Sequence, residues 1–460
     1  MRPLAESGGH SDERDAACRR LASWEEGVIV LEDEVGLANG SRTGKRTQTF
    51  DFAKGVLGTT AKQPEVYDAV ASELVKAVCE DRYSAFVFAY GQTGTGKTHT
   101  IFGPAPSWRS IRHSESGILP RAVASILDAM RPRAATAAFT LTASAMEFYM
   151  CECTDLLDGG ATCVIGADHK PVGLTQMPIE SEGACLHFMD TVREQRHTRA
   201  TYMNGANGDG HEGSSRSHCA MVLTLRQLDR ESGAIVTTEL HVMDMAGAER
   251  PKSVTGFGGE GHHSAALAIA EKERGAEPTI SDQGVLINYE LSQLRTAVVQ
   301  ASEQHMKGLP LLNAKGVNTA FVEYAKGCFD GSALLSMIVT LSPARSCGWE
   351  TWFSCTYGVD LQKLRCPVQP QKARSLAKLI AASEVAIGKF KEELALAESK
   401  GAMNKYVERR AVMAKGEARV LEQLQRLQAG GADPSADDVH REVEPETAKS
   451  RWEAPSCVIS

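Results

Sequence analysis

Residues Gly91-Gln92-Thr93-Gly94-Thr95-Gly96-Lys97-Thr98 fit the pattern G-x-x-x-x-G-K-[ST] at every fixed position. They follow directly on Ala85 to Tyr90, an apolar run with the length and the aromatic and β-branched content of a buried parallel strand. Glycines let consecutive backbone N–H groups turn inward around phosphate oxygens, where a side chain would block the approach. Lys97 then reaches the β- and γ-phosphates, and the Thr98 hydroxyl, opening the next helix, can ligand Mg²⁺. A glycine-rich turn with no strand before it and no helix after it would carry no such meaning; here both flanks are present. The octet predicts a nucleoside-triphosphate site.

The rest of the chain narrows the class. Its 460 residues allow one large domain with an appendage, or two or three domains. A formal net charge of −8 argues against nucleic acid as the main partner. No apolar run approaches bilayer-spanning length, so no membrane partner is expected. The twelve cysteines are scattered, the closest pair being Cys151-x-Cys153, and Met1 to Arg20 is polar and charged, unlike a signal peptide. They read as reduced thiols of a cytoplasmic protein.

In chain order, Gly27 to Leu31 and Thr47 to Phe52 have strand patterns after a polar stretch. A helix begins at Gln63-Pro64, where proline suits a first turn, and carries Val66, Val70, Leu74 and Val78 at four-residue spacing. Gly117 to Arg121 leads into a second amphipathic helix through Met130; Phe139 to Tyr149 is a strand, and Ala184 to Arg199 a helix. A glycine-rich loop from Asn204 to Gly213 precedes Ser214-Ser215-Arg216-Ser217-His218 and a strand over Met221 to Leu225. Glu239 to Asp244 is a strand ending in a carboxylate, followed by Met245-Ala246-Gly247-Ala248-Glu249, and Leu334 to Leu341 is one more buried strand. Strands and helices interleave, which predicts an α/β fold with a mixed, mainly parallel sheet covered on both faces.

From Gln371 to Ala429 the composition turns to Ala, Glu, Lys, Leu and Arg without proline, predicting a helical appendage. Leu376, Ile380, Ile387, Phe390 and Leu394 keep a heptad-like phase, but Val420, Leu424 and Leu427 fall outside it. A homodimer contact, a solvated single helix, or two short helices all remain open. The polar segment after Gly430 predicts a disordered tail.

A phosphate loop, then Ser-Ser-Arg-Ser-His, then Asp-x-x-Gly-x-Glu at a strand end, in that order, resembles the kinesin motor domain, in which these are the phosphate loop, switch I and switch II. Further matches are Arg2-Pro3, Gln63 to Tyr67, Gly117 to Arg121, Met146-Glu-Phe-Tyr149 with Asp155-Leu-Leu157, Asn288-x-x-Leu-Ser292, Ser342-Pro-Ala344 and Glu350-Thr351. The resemblance implies a P-loop NTPase fold and an ATP hydrolase over residues 1–366, a neck and helical stalk segment over 367–430, and a tail over 431–460. It implies ATP with Mg²⁺ as ligands, held by Gly91, Gln92, Thr93, Gly94, Thr95, Gly96, Lys97, Thr98 and His99, with Arg2 and Pro3 on the adenine side. Ser214, Ser215, Arg216, Asp244, Gly247 and Glu249 become the hydrolytic set. Thr98, Ser215 and, through water, Asp244 become the metal ligands. Arg216 and Glu249 are implied to form an ion pair that closes the site, and Gly247 to offer its N–H to the γ-phosphate. Microtubules become the expected partner, with a cytoplasmic, cytoskeletal location. ATP is favoured over GTP on family grounds, since Asn313-Ala-Lys-Gly316 lacks the carboxylate of a guanine motif. His218 and His262-His263 lack metal-ligand spacing.

The departures cluster on the side that would face the track. Nine residues separate Asn204 from Ser214, and Pro251 to Leu286 is expanded. The family's Asn-Lys-Ser-Leu reads Asn288-Tyr289-Glu290-Leu291, and Pro310 to Val317 keeps only the proline and lysine of its motif. Between Pro251 and Asp330 stand seven Lys/Arg and nine Asp/Glu, a formal −2, where an acidic microtubule calls for a basic face. A second function class is therefore carried beside the motor: a non-motile nucleotide-binding scaffold or regulator on the same fold. Kinesin motor domains also have a strand leading into Arg-Pro. The sequence opens at that dipeptide, so either the strand is missing or the protein begins further upstream, the second being the expectation because an uncovered sheet edge exposes ladder groups.

Overall fold

The computed structural model describes residues 19–25, 27–36, 43–104, 110–166, 168–204, 216–248, 265–274, 279–306, 319–344, 347–364, 367–400, 405–430 and 456–459. A small antiparallel sheet comes first, formed by β1 (Arg19–Glu25), β2 (Val28–Gly36) and β3 (Thr43–Asp51). The stretch before Gly27 reads as merely polar, yet it contains β1: a register shift between Leu21 and Ser23 breaks the alternation that would have marked a strand.

The helix expected from Gln63 is divided into α1 (Gln63–Val70) and α2 (Ser72–Cys79), because Ala71, with φ −126°, leaves the helical region at the joint. Val66, Val70, Leu74 and Val78 are all buried nonetheless. There follow β4 (Ser84–Gly91), α3 (Lys97–Phe102), α4 (Ile118–Met130), β5 (Ala137–Tyr149) and β6 (Glu152–Asp155). Four two-residue strands come next, β7 (Ala161–Thr162), β8 (Val164–Ile165), β9 (Pro171–Val172) and β10 (Met177–Pro178). Then come α5 (Glu182–Asn204), β11 (His218–Asp229), β12 (Ala234–Asp244), α6 (Ala265–Glu273), α7 (Ile280–Met306), α8 (Ala320–Lys326), β13 (Ala333–Thr340) and α9 (Gly348–Leu361). The last elements are β14 (Arg374–Ser375), α10 (Leu376–Ser399), α11 (Lys405–Gln428) and β15 (Ser456–Ile459).

The main sheet runs β15-β13-β4-β12-β11-β5-β6-β7, with β10 added to β5 and β14 to β12. It is mixed as expected but not mainly parallel: it is parallel from β15 through β12 and antiparallel from β12 outward, where tight turns join β11 to β12 and β5 to β6. β4, fully buried, sorts its side chains between two cores. Ala85, Val87 and Ala89 meet α2, α4 and α5 on one face, while Phe86, Phe88 and Tyr90 meet α7, α8, α9 and the small sheet on the other. Small residues on one side and aromatic ones on the other let the two helical layers sit at different depths.

The appendage is two helices, and they are used within the chain. α10 and α11 pack on each other, and Leu376, Leu424 and Leu427 form a third core with Ala138, Leu228 and Ile235 at the end of the sheet opposite the phosphate loop. Polar contacts fix the seating: Lys415 and Arg419 reach the Asp158 carboxylate, and Arg419 Nη1 donates to the Gly173 carbonyl at 2.6 Å. Gly416 lies flat on Gly173, so close that a Cβ on Gly416 would stand 2.6 Å from Gly173 Cα. Val420, Leu424 and Leu427 of α11 miss the α10 heptad because they face the sheet.

That contact yields a test. Gly416→Val in the full chain is expected to lower stability by about 1–3 kcal/mol through overpacking, and to expose α11 to limited proteolysis. Gly388→Ala, on α10 where nothing lies within 4 Å, should leave both unchanged or raise the melting temperature slightly. Equal behaviour of the two variants would contradict the docking.

Candidate functional site

The site forms where β4, β12 and β13 end side by side. Their parallel register pairs Asp244 with Ala89 and Thr340 with Gly91, so the threonine stands level with the glycine turn and the carboxylate two residues before it. Ligands in open α/β sheets bind at this edge, beyond the carboxyl ends of the strands.

Gly91 is the pivot. Its φ is +151°, and a Cβ there would lie 2.3 Å from the Thr340 carbonyl oxygen, so only glycine lets the turn lie against β13. The Thr95 hydroxyl bonds the Gln92 carbonyl and the Thr340 hydroxyl, both at 2.7 Å, fastening the loop to that neighbouring strand. Buried Lys97 crosses the loop, its Nζ donating to the Gly91 and Gln92 carbonyls at 2.9 Å each. Thr93 and Gly94 are exposed at the mouth and Gln92, Gly96 and Thr98 are half-buried. His99 is exposed on α3, and its carbonyl accepts from Gln63 Nε2 at 2.8 Å, which ties the loop helix to α1.

Opposite Lys97 lies the best-defined polar contact of the site. The Thr98 hydroxyl donates to Asp244 Oδ2 at 2.8 Å, and Arg196 Nη1 donates to the same oxygen at 2.8 Å. Asp244 is fully buried and its Oδ1 has no hydrogen-bond partner among the described residues. A hydroxyl beside a carboxylate with an unused buried oxygen is a hard donor set of the kind Mg²⁺ prefers, and water or a metal-bound water would satisfy it. The residues present therefore fit the metal. Among the described residues no group of three His, Cys, Asp or Glu side chains forms a cage for another metal.

Arg196, carried by α5, is missed by motif reading. Cys185, Met189 and Val192 form an apolar stripe on α5, and the next position of that stripe is Arg196, buried with them. A cation on the otherwise apolar inward stripe of a helix was the available signal, since such a charge requires a buried partner. Burial works to lower the Arg196 pKa, but Cys219, Asp244 and Glu147 outweigh it, and the group ends above its ordinary value. Beside it, burial pushes the Cys219 thiol up to about 12 against the lowering pull of Arg196, so this thiol stays protonated and inert.

The two segments expected to act as switches are described in part. Ser214, Ser215 and Glu249 lie outside the described residues, as do Arg2 and Pro3. Arg216 Nη1 lies 3.3 Å from Gln283 Oε1 on α7, and the Ser217 hydroxyl donates to buried Glu147 Oε1 at 2.6 Å. After Asp244 the backbone follows the phosphate loop closely: Met245 N donates to the Ala89 carbonyl at 3.3 Å and Ala248 N to the Gly91 carbonyl at 3.2 Å. Gly247, buried, sits inside this laced segment. His218 joins the segment before β11 to the one after β12, since its Nδ1 accepts from Ala246 N at 3.2 Å, while its ring stacks on Phe321 at 3.9 Å. With Nδ1 accepting, a neutral ring carries its proton on Nε2, which lies 3.7 Å from the Glu290 carboxylate. Glu290, the acid that departs from the family's helix motif, is thus turned inward and buried instead of adding charge to the outer face of α7.

A strand, glycine turn and helix, with a buried Asp on the adjacent parallel strand meeting the threonine after the lysine, define a P-loop nucleotide-binding site. Comparisons with known proteins narrow this class. The kinesin motor domain model matches residues 1–364, and the chain belongs to that family, whose members bind nucleotide. It is 28% identical over 375 residues to kinesin-like protein KIN-14M of Oryza sativa subsp. japonica, covering 78% of this chain and 29% of that protein. It is 30% identical over 339 residues to kinesin-like protein KIF27 of Homo sapiens, covering 70% and 21% respectively. The chain thus spans less than a third of the length of these relatives.

The buried triad generates a prediction. Arg196→Met leaves Asp244 a desolvated anion with only the Thr98 hydroxyl, and should cost about 3–5 kcal/mol of stability, read as a lowered denaturation midpoint. Adding Asp244→Asn should recover much of that loss, because the uncompensated charge goes with it; a double variant no better than the single would refute the pairing.

Proposed function

We propose that the chain is a divergent kinesin-type ATPase that binds Mg²⁺-ATP at the Gly91–Thr98 loop and couples its hydrolysis to microtubule binding and movement. The observation that supports this reading best is the meeting of Thr98 with Asp244 directly beside the Lys97-laced loop. A bound Mg²⁺ would supply charge neutralisation for the polyphosphate, with Thr98, Ser215 and, through water, Asp244 as its proposed protein partners.

In this proposal the chain's own groups act by positioning. Lys97 trades the Gly91 and Gln92 carbonyls for phosphate oxygens, and Arg196 holds the Asp244 carboxylate in its orientation. Gly247, backed by the laced loop, offers its N–H to the γ-phosphoryl; Ser214 and Ser215 face the reacting end. Arg216 exchanges its Gln283 contact for Glu249 when the site closes, and that exchange is how α7 would sense the nucleotide. His99, with Arg2 and Pro3, completes the nucleotide cradle. The location proposed with this activity is cytoplasmic, on microtubules.

The non-motile scaffold remains as a second reading because of one observation. The described outer face of α7 presents Ser292, Arg295, Thr296, Val299 and Glu303, and Arg295 is already engaged by Asp360 at 2.6 Å. That face offers little free positive charge to an acidic lattice.

ATP turnover of the full chain with and without polymerised tubulin separates the two. Under the motor reading turnover rises at least tenfold with microtubules at low salt, and Lys97→Ala abolishes it with the fold retained. Basal turnover with no stimulation and no co-sedimentation leaves the scaffold reading; no turnover and no nucleotide binding rejects both.

A further inference from the structure

Two cysteines stand opposite one another at the rim of the main sheet. β6 and β7 pair in the register Thr154↔Thr162 and Asp155↔Ala161. One step further along the same register lie Cys153 and Cys163, where Cys163 N donates to the Cys153 carbonyl at 2.8 Å. Facing residues of an antiparallel pair put their side chains on one side of the sheet, with Cα atoms about 4.5–5.5 Å apart. A disulfide spans Cα separations of about 4.4–6.8 Å. Both side chains enter the same apolar core, and the two thiols interact directly. We propose that Cys153 and Cys163 form a reversible redox-modification site, which a hydroperoxide converts into a cross-strand disulfide. The site lies apart from the nucleotide edge and does not depend on the function proposed there.

Its place in the sheet sets this pair apart from the other thiols. Cys151 packs into a different core, with Met150, Ala268 and Leu286, so it cannot take the place of Cys153. Cys219 is fully buried on β11, between β5 and β12 in the middle of the sheet. β7, by contrast, ends the sheet, and its Ala161 and Thr162 are exposed. Parting those two residues from β6 uncovers Cys163 without opening the core. Burial first, and then Cys163 beside it, hold the Cys153 thiol well above its ordinary value. Cys163, next to the exposed rim, is therefore the thiol that meets the oxidant, and Cys153 the one that resolves it.

The chemistry balances with one peroxide. The Cys163 sulfur attacks one peroxide oxygen, the O–O bond breaks, and the departing oxygen leaves as water with the thiol proton. The sulfenic acid so formed is attacked by the Cys153 sulfur; the S–O bond breaks, the S–S bond forms, and a second water carries off the Cys153 proton. Two thiols give up two electrons, and the peroxide is reduced to two waters.

The bridge would close a ring from Cys153 to Cys163 with Asp158 inside it. Asp158 receives Lys415 and Arg419 of α11. Asp155, in the same ring, accepts from Thr175 N at 2.6 Å, two residues beyond the Gly173 on which Gly416 lies. Oxidation therefore restrains the seat of α11.

Peroxide treatment of the reduced, folded full chain, followed by alkylation and peptide mapping, is the direct test. A Cys153–Cys163 linked peptide should form about tenfold faster than Cys185 or Cys219 is oxidised, because the second thiol is already in place. Two of the twelve thiols should be lost, and dithiothreitol should restore both. Linkage of either cysteine to Cys328 or to a second chain would overturn the proposal. So would sulfinic acid at Cys163 beside a free Cys153 thiol, or no thiol loss under conditions that oxidise the unfolded chain. Cys151→Ser should leave the rate of bridging unchanged, while Cys163→Ser should leave Cys153 reduced. Limited proteolysis reads the consequence: release of α11 should slow severalfold once the bridge forms, and equal rates before and after would refute its link to that seat.

Discussion

Everything at the nucleotide edge depends on one buried carboxylate. Asp244 is buried and has two donors on a single oxygen, the Thr98 hydroxyl and the Arg196 guanidinium. An ion pair at that depth contributes little net stability compared with an apolar pair of the same shape, but it tolerates no missing partner. The consequence is geometric: α3, α5 and β12 cannot shift independently, because each carries one member of the contact. An oxygen left unused in so tight an arrangement is where added chemistry can enter without dismantling the rest.

The second constraint is the parallel register of β13, β4 and β12, which sets Thr340 beside Gly91 and Asp244 beside Ala89, two residues before the glycine turn. Gly91 lies against Thr340 only because it has no side chain, and Lys97 folds back over it because its carbonyl and that of Gln92 point inward. The same Gly91 carbonyl accepts from Ala248 N, so the loop and the segment after β12 share an acceptor. Displacing Lys97 from that carbonyl would alter the charge on the shared acceptor, which gives the segment after β12 a direct physical link to the phosphate loop.

Legibility in the sequence followed local periodicity and motif spacing. The phosphate loop, β4, α4, β5 and β12 could be read because each carries its own pattern, and the pairing of Thr98 with Asp244 follows from two motifs that belong together. What escaped has no local signature. Met150 and Cys151 turn the chain from β5 into β6 with φ values of +51° and +68°, yet neither is the Gly or Asn that normally marks such a turn. β1 hides behind a register shift. Arg196 belongs to no motif, and only its place on an apolar stripe distinguishes it from a solvated charge. The docking of α11 depends on Gly416 finding Gly173, 243 positions away in the sequence, a complementarity invisible until both surfaces exist.

Those long-range contacts share a physical theme. α11 closes the sheet's far end with Leu424 and Leu427 against Ala138, Leu228 and Ile235, and β15 closes its edge beside β13. Both come from beyond Leu364, after the last residue matched to the family. A sheet whose interior strands are apolar on both faces needs covering at its ends and edges as well as on its faces, or its ladder groups stay accessible to other chains. In this chain the covering segments are local in chemistry but remote in sequence, so closing them carries a loop entropy that grows only slowly with length. Long connections are therefore no obstacle to the arrangement, in which the C-terminal helices pack on the nucleotide-binding sheet.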